Sequence, residues 1–206
     1  MQMTKVILLD ADGVLTIPEE LFSVMYSMSR GLDLEPFEQF FKTEWAEYVT
    51  GKRDLKEHVR ANPDLWQWPG TPDELLEYWF KTEDIRNDEM IELVKKIRSS
   101  GVPCYLATEQ ERYRGEYMKN VMFKNLFDGY FVTAEIGLKK SDPAFFEEII
   151  IQLRQNGMNI RPDDIIFFDD SQSKVDSALH AGIDAHLFEG IGSVKQKLSQ
   201  EKLLKN

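Results

Sequence analysis

From residue 102 onward the chain alternates short apolar runs, rich in branched and aromatic residues, with amphipathic stretches, and this alternation constrains its fold more than any other feature. The runs 102–107, 129–133, 164–168 and 185–188 read as strands, as does 5–9 near the start. Between them the spacing is helical. Asn87 can cap a helix over 88–100, with Met90, Val94 and Ile97 on one face and Gly101 closing it. A second helix fits 111–120, a third opens at Pro143 with Phe145, Phe146, Ile149, Ile150 and Leu153 at helical spacing, and Val175, Ala178 and Leu179 mark a fourth before Gly182. Strands alternating with helices predict an α/β, doubly wound (Rossmann-like) parallel sheet, its right-handed crossovers bringing every strand's carboxyl end to one ligand-binding edge.

The segment 17–84 breaks the rhythm and is far too long for a loop. The stretches 21–29, 36–50, 55–61 and 73–79 read as helices, which predicts a small helical cap at 17–84 inserted after strand 1 into a core made of 1–16 and 85–206. A length of 206 residues suits one domain carrying an insertion, and 42% hydrophobic with 30% charged residues is the composition of a chain that folds.

A net charge of −11 argues against nucleic acid or an anionic membrane as partner, since a polyphosphate needs a basic face. The lone Cys104 excludes an internal disulfide and a cysteine-built zinc site. The start MQMTKVILLD lacks the marks of a secretory signal, and no apolar run approaches spanning length, so a cytoplasmic protein is expected, a monomer or weak homodimer.

The string VILLDADGVLT ends an apolar strand at Asp10 and turns through Ala11, Asp12 and Gly13, so two carboxylates can face one pocket at a strand's carboxyl end. Asp-x-Asp-Gly also opens calcium loops, but those need an oxygen ligand, Gly and Glu at the fifth, sixth and twelfth positions, where this chain has Val14, Leu15 and Leu21. A solvated turn is the bland alternative. The fourth strand, however, runs IIFFDDS into Asp169 and Asp170. Four carboxylates at one edge would repel unless they hold a hard divalent cation, for which Mg2+ is the natural candidate. Thr108 ends the second strand, where its hydroxyl can bond a phosphate oxygen, and Lys139 and Lys140 in GLKKSDP can neutralise one.

In that order DADGVLT, LATEQ, GLKKSDP and FFDDSQSKVDSALHAG resemble the four motifs of the haloacid dehalogenase superfamily. The resemblance implies that Asp10 is the nucleophile, Asp12 the general acid and base, and Thr108 a phosphate ligand. It selects Lys140 over Lys139 because Lys140 precedes Ser141, Asp142 and Pro143. It makes Asp170 the direct Mg2+ ligand of the acidic pair, with Asp169 acting through water or orienting its neighbours. The expected metal set is Asp10, Asp12, Asp169 and Asp170, and the expected phosphate set Thr108, Glu109 and Lys140. Two residues depart from the pattern: Glu109 stands where Asn commonly follows the threonine, and Ser141 where proline commonly follows the lysine.

A carboxylate in line with phosphorus can form an acyl phosphate, dividing one hard hydrolysis into two steps. An acidic residue at position 12 is lacking in the family's dehalogenases and is Thr in its transport ATPases, which leaves a phosphatase or phosphomutase. Receiver domains use a similar kit in another order. The implied activity is therefore Mg2+-dependent hydrolysis of a small phosphorylated metabolite through an aspartyl phosphate. A sugar phosphomutase and a degenerate phosphate- and Mg2+-binding regulatory module are the alternatives. Trp45, Trp66, Trp68, Tyr78 and Trp79 in the insert can stack on a sugar or exclude water, and they also suffice to form the insert's own core. His58, His180 and His186 have no spacing suited to a metal.

Overall fold

The computed structural model describes residues 5–204. In chain order it contains β1 (Val6–Leu9), the helices α1 (Phe22–Arg30), α2 (Glu35–Thr43), α3 (Trp45–Val49), α4 (Leu55–Ala61), α5 (Pro63–Trp66), α6 (Pro72–Thr82) and α7 (Asp88–Ser99), and β2 (Cys104–Thr108). After these come α8 (Arg112–Tyr117), β3 (Gly129–Val132), α9 (Thr133–Ile136), α10 (Pro143–Gln155), β4 (Ile165–Asp169), α11 (Gln172–His180), β5 (Asp184–Leu187) and α12 (Ile191–Gln200).

All five strands are parallel, in the order β3-β2-β1-β4-β5. Chain order reverses beside β1, so the crevice of this doubly wound sheet opens between the carboxyl ends of β1 and β4. Leu9 pairs with Phe168, which sets Asp10 and Asp169 side by side just beyond the last pair. Alternation along the strands feeds two cores. Ile7, Leu9, Cys104, Leu106, Ile166 and Phe168 pack under α7 and α12, whereas Val6, Leu8, Ala107, Ile165 and Phe167 pack under α10 and α11. With both faces covered, β1 reads as an unbroken apolar run rather than an alternating one.

The chain leaves the sheet at Ile17 and returns at Ile85, where the Ile17 N–H donates to the Ile85 carbonyl at 2.8 Å. Between these points α1 to α6 build a separate apolar cluster that includes Phe22, Tyr26, Phe37, Trp66 and Trp79, and against it pack Tyr113 and Tyr117 of α8. Asp54 caps α4 by accepting the Glu57 N–H, and Thr71 with Glu74 forms a capping box on α6.

Local readings differ from the structure at a few places. The single helix expected over 36–50 is two, divided at Glu44, although the Glu44 N–H still donates to the Phe40 carbonyl. The helix expected over 111–120 runs on from α8 into a π-helical turn at Met118–Met122. The helices α5, α9 and α12 are additional to the expected ones: α5 and α9 are four residues each, and α12 carries Ile191, Val194 and Leu198 at helical spacing but has no side-chain cap ahead of it. Among the described residues no helix is long and apolar enough to cross a membrane.

Candidate active site

β1, β2 and β4 carry their last side chains to the same edge, and the loop ahead of α10 closes over it. Lys140 lies in that loop with no exposure at all. Its Nζ stands 2.6 Å from Asp10 Oδ1 and 2.6 Å from Asp169 Oδ2, and donates to the Ala107 carbonyl at 3.0 Å. The ammonium thus has one carbonyl acceptor and two carboxylates in ion-pair contact, the kind of surroundings a buried lysine requires. Burial works against its charge, but the Asp10 and Asp169 carboxylates outweigh that and hold its pKa above the ordinary lysine value. Lys139 is exposed and makes no such contact.

Burial pushes the Asp10 carboxyl up to about 7, with Asp169 adding to the rise and Lys140 opposing it. Its Oδ1 also accepts the Ala11 N–H at 2.7 Å, which fixes its rotamer. One carboxylate oxygen from each of Asp10, Asp169 and Asp170 lies within 4.8 Å of the others. Asp170 is exposed at the rim of this cluster, and partial desolvation followed by repulsion from Asp169 raises its pKa. It passes directly over Gly13: a Cβ at position 13, where φ is +78°, would lie 2.0 Å from Asp170 Oδ2. Glycine there serves both the left-handed backbone and the close approach. Three crowded carboxylates against the ammonium of Lys140 and the more peripheral Lys174 leave negative charge uncompensated, and the all-oxygen donor set suits Mg2+.

The Asp12 carboxylate turns away from this cluster. Oδ1 accepts from Thr16 Oγ1 at 2.7 Å and from an Arg114 guanidinium nitrogen at 2.9 Å, and Oδ2 accepts from Gln110 Nε2. Burial alone would raise its pKa, but Arg114, then Thr16 and Gln110, reverse the effect and hold Asp12 below the usual carboxylate range. Arg114 is itself buried and forms a second ion pair with Glu83, the residue just past α6, whose other oxygen accepts the Phe22 N–H at 2.9 Å. A chain of charged contacts thus runs from Asp12 through α8 into the helical insert.

Thr108 is buried at the end of β2, and its hydroxyl has no hydrogen-bond partner among the described residues. An orphaned buried hydroxyl beside a lysine and a metal-suited cluster is a place left for a ligand oxygen. Glu109 does not face that position in the expected way: its Oε2 accepts the Lys140 backbone N–H at 2.9 Å, so the carboxylate anchors the lysine loop. Ser141 sits in the turn that follows, where the Asp142 N–H donates to the Lys139 carbonyl.

The structure brings Asp10, Lys140, Asp169 and Asp170 together, with Thr108 at the neighbouring strand end, and sets Asp12 and Glu109 to other partners. Thr16 and Gln110 stand within the strings DADGVLT and LATEQ without being singled out by them, and Glu83 and Arg114 carry no sequence signal of their own. In ERYRGEY nothing distinguishes the buried Arg114 from the exposed Arg112, because only the docking of α8 against the insert separates them.

A family model described as haloacid dehalogenase-like hydrolase matches residues 4–182. No curated protein matches the chain in sequence. Among solved structures, the magnesium complex of a HAD family enzyme from Bacteroides thetaiotaomicron is similar with a TM-score of 0.76 at 16% identity, over 95% of this chain and 100% of that one. A predicted HAD-like family hydrolase from Porphyromonas gingivalis gives 0.72 at 16% identity, over 95% and 98%. A HAD phosphatase from Thermococcus onnurineus gives 0.61 at 21%, over 92% and 88%. At such identities the likeness extends to the fold.

Proposed function

The chain belongs to the haloacid dehalogenase-like hydrolases, and from that premise we propose that it is a magnesium-dependent phosphohydrolase whose nucleophile is Asp10. The observation that carries this reading is the meeting of Asp10, Asp169 and Asp170 around the fully buried Lys140, with the unpartnered Thr108 hydroxyl at the adjoining strand end. The Bacteroides thetaiotaomicron enzyme, similar in fold, has been crystallised with magnesium and inorganic phosphate.

In this reading Asp10, Asp169 and Asp170 hold Mg2+, which supplies a Lewis acid for the phosphoryl oxygens and lowers the repulsion between two anions. Lys140 adds a fixed positive charge from the protein side, held by Ala107 and by the Glu109 contact to its backbone. Thr108 donates a hydrogen bond from its hydroxyl to a phosphoryl oxygen. Asp10 attacks phosphorus as the leaving alkoxide departs, giving an aspartyl phosphate that water then hydrolyses. Asp12 stands next to the nucleophile as proton carrier. The carboxylate state in which Arg114 holds it suits the second, base-catalysed step, and acting as acid in the first requires that contact to give way as a leaving group enters. Residues 17–84 act as a cap over a core of 1–16 and 85–206, excluding bulk water from the crevice.

Phosphate release from a panel of sugar, polyol and aryl monophosphates, with and without Mg2+, tests this. Turnover should need the metal and vanish in a well-folded Asp10→Asn protein. An Asp10→Asn enzyme as fast as the wild type would sink the mechanism.

A further inference from the structure

A cavity of about 190 Å3 lies between the helical insert and the carboxyl edge of the sheet, with Asp12 in its wall. Phe22, Phe41, Trp45 and Trp79 of the insert form its apolar sides. Pockets for drug-sized ligands run about 300–1,000 Å3, so this one admits only a compact group.

Its electrostatics are lopsided. Asp12, Glu83 and Glu109 all line it, against one cation, Arg114. That guanidinium is already shared between Asp12 and Glu83, which leaves no free positive charge to receive a second anionic group. Like charges brought together in a partly desolvated site repel strongly. The carboxylate acceptors and flat aromatic walls together match a molecule that presents hydroxyl groups and an apolar ring or chain face.

We propose that this cavity receives the leaving group, that it selects a compact polyhydroxylated alcohol carrying no negative charge, and that Glu83 is a specificity-determining residue because it keeps Arg114 neutralised. The inference rests on the phosphohydrolase reading and narrows it to monophosphate esters of small sugars and polyols. Esters whose alcohol bears a carboxylate or a second phosphate are rejected.

The test is kcat/KM, measured with the full chain and Mg2+, for a hexose monophosphate and glycerol phosphate against 3-phosphoglycerate, 2-phosphoglycolate and a hexose bisphosphate, with p-nitrophenyl phosphate as a general probe of the chemistry. The uncharged alcohols should be preferred by at least about tenfold. Glu83→Gln should narrow that preference by about tenfold, since the lining loses one of its three carboxylate charges and Arg114 is then countered by Asp12 alone. The preference is a ratio within one preparation, so a lower folded fraction of the variant cancels from it. Equal or better turnover of the acidic esters, an unchanged ratio in Glu83→Gln, or turnover of p-nitrophenyl phosphate with no sugar or polyol ester accepted would each overturn the proposal while leaving the hydrolase reading in place. No turnover of any ester, the general probe included, would remove the hydrolase reading and this one with it.

Discussion

Lys140 Nζ lies 2.6 Å from Asp10 Oδ1 in a site that gives the lysine no exposure. The same nitrogen reaches Asp169, so one ammonium holds two carboxylates from adjacent strands at a fixed separation. Its absence should be felt in both stability and chemistry.

Replacing Lys140 by Met leaves Asp10 and Asp169 facing each other without a cation. Removing one partner of a buried ionic cluster typically costs about 3–5 kcal/mol, and losing a preorganised charge at a transition state costs roughly 10²–10³ in kcat. Chemical denaturation should show the destabilisation, partly recovered on adding Mg2+, and steady-state kinetics the rate loss. A variant with wild-type kcat would place the phosphate elsewhere.

Because burial holds the Asp10 carboxyl at about 7, a metal ion that takes Asp10 as ligand must displace a proton below that pH. Apparent Mg2+ affinity should therefore climb by up to roughly tenfold per pH unit as pH approaches 7 from below, and level off above it. Calorimetry in buffers of different ionisation enthalpy should record proton release at pH 6 and little at pH 8.5. Affinity independent of pH over this range would contradict the assignment of Asp10 as a ligand.

Gly13→Ala meets two obstacles, the positive φ and the Asp170 carboxylate 2.0 Å from the new methyl. The backbone term alone is about 1–2 kcal/mol. Gly31 also has a positive φ, +66°, but nothing within 4 Å of an added Cβ. Both alanine variants should lose comparable backbone stability, while Gly13→Ala alone should weaken Mg2+ binding, by at least about tenfold if Asp170 is a direct ligand. Similar metal affinities in the two proteins would show that Asp170 is not held in place by the Gly13 turn.

Arg114→Met strands the buried Glu83, whose cost should exceed that of the missing ion pair itself. Adding Glu83→Gln removes the stranded charge. The double variant is expected to be more stable than Arg114→Met alone, with a coupling of about 1–3 kcal/mol in a double-mutant cycle. Additive effects would mean that the contact between α8 and the insert carries no energy of its own.

Much of this molecule was legible from residue order. The unbroken apolar runs ending in Asp10, Thr108 and Asp169 located three strand ends, since such runs fit only a sheet covered on both faces. Pro143 and Asn87 marked helix starts because a ring-locked φ and a side-chain acceptor act locally. The division at Glu44 and the π turn after Tyr117 were not legible, as neither residue type nor spacing interrupts the helical pattern there. Glu109 read as a charge near phosphate, whereas its carboxylate caps the Lys140 N–H. That bond spans two loops distant in sequence, and local pattern carries no information about it.

The sequence by itself determined the parallel α/β architecture and the identity of the groups gathered at its carboxyl edge, because strand and helix periodicities and turn residues act over a few neighbours. Tertiary structure alone decided which way those groups face. Asp12 turned to Arg114 and Gln110, Glu109 to the Lys140 backbone, and Glu83 closed the aromatic cavity from the insert. Buried charges must find partners, and the partners available depend on which elements pack together rather than on what precedes or follows in the chain.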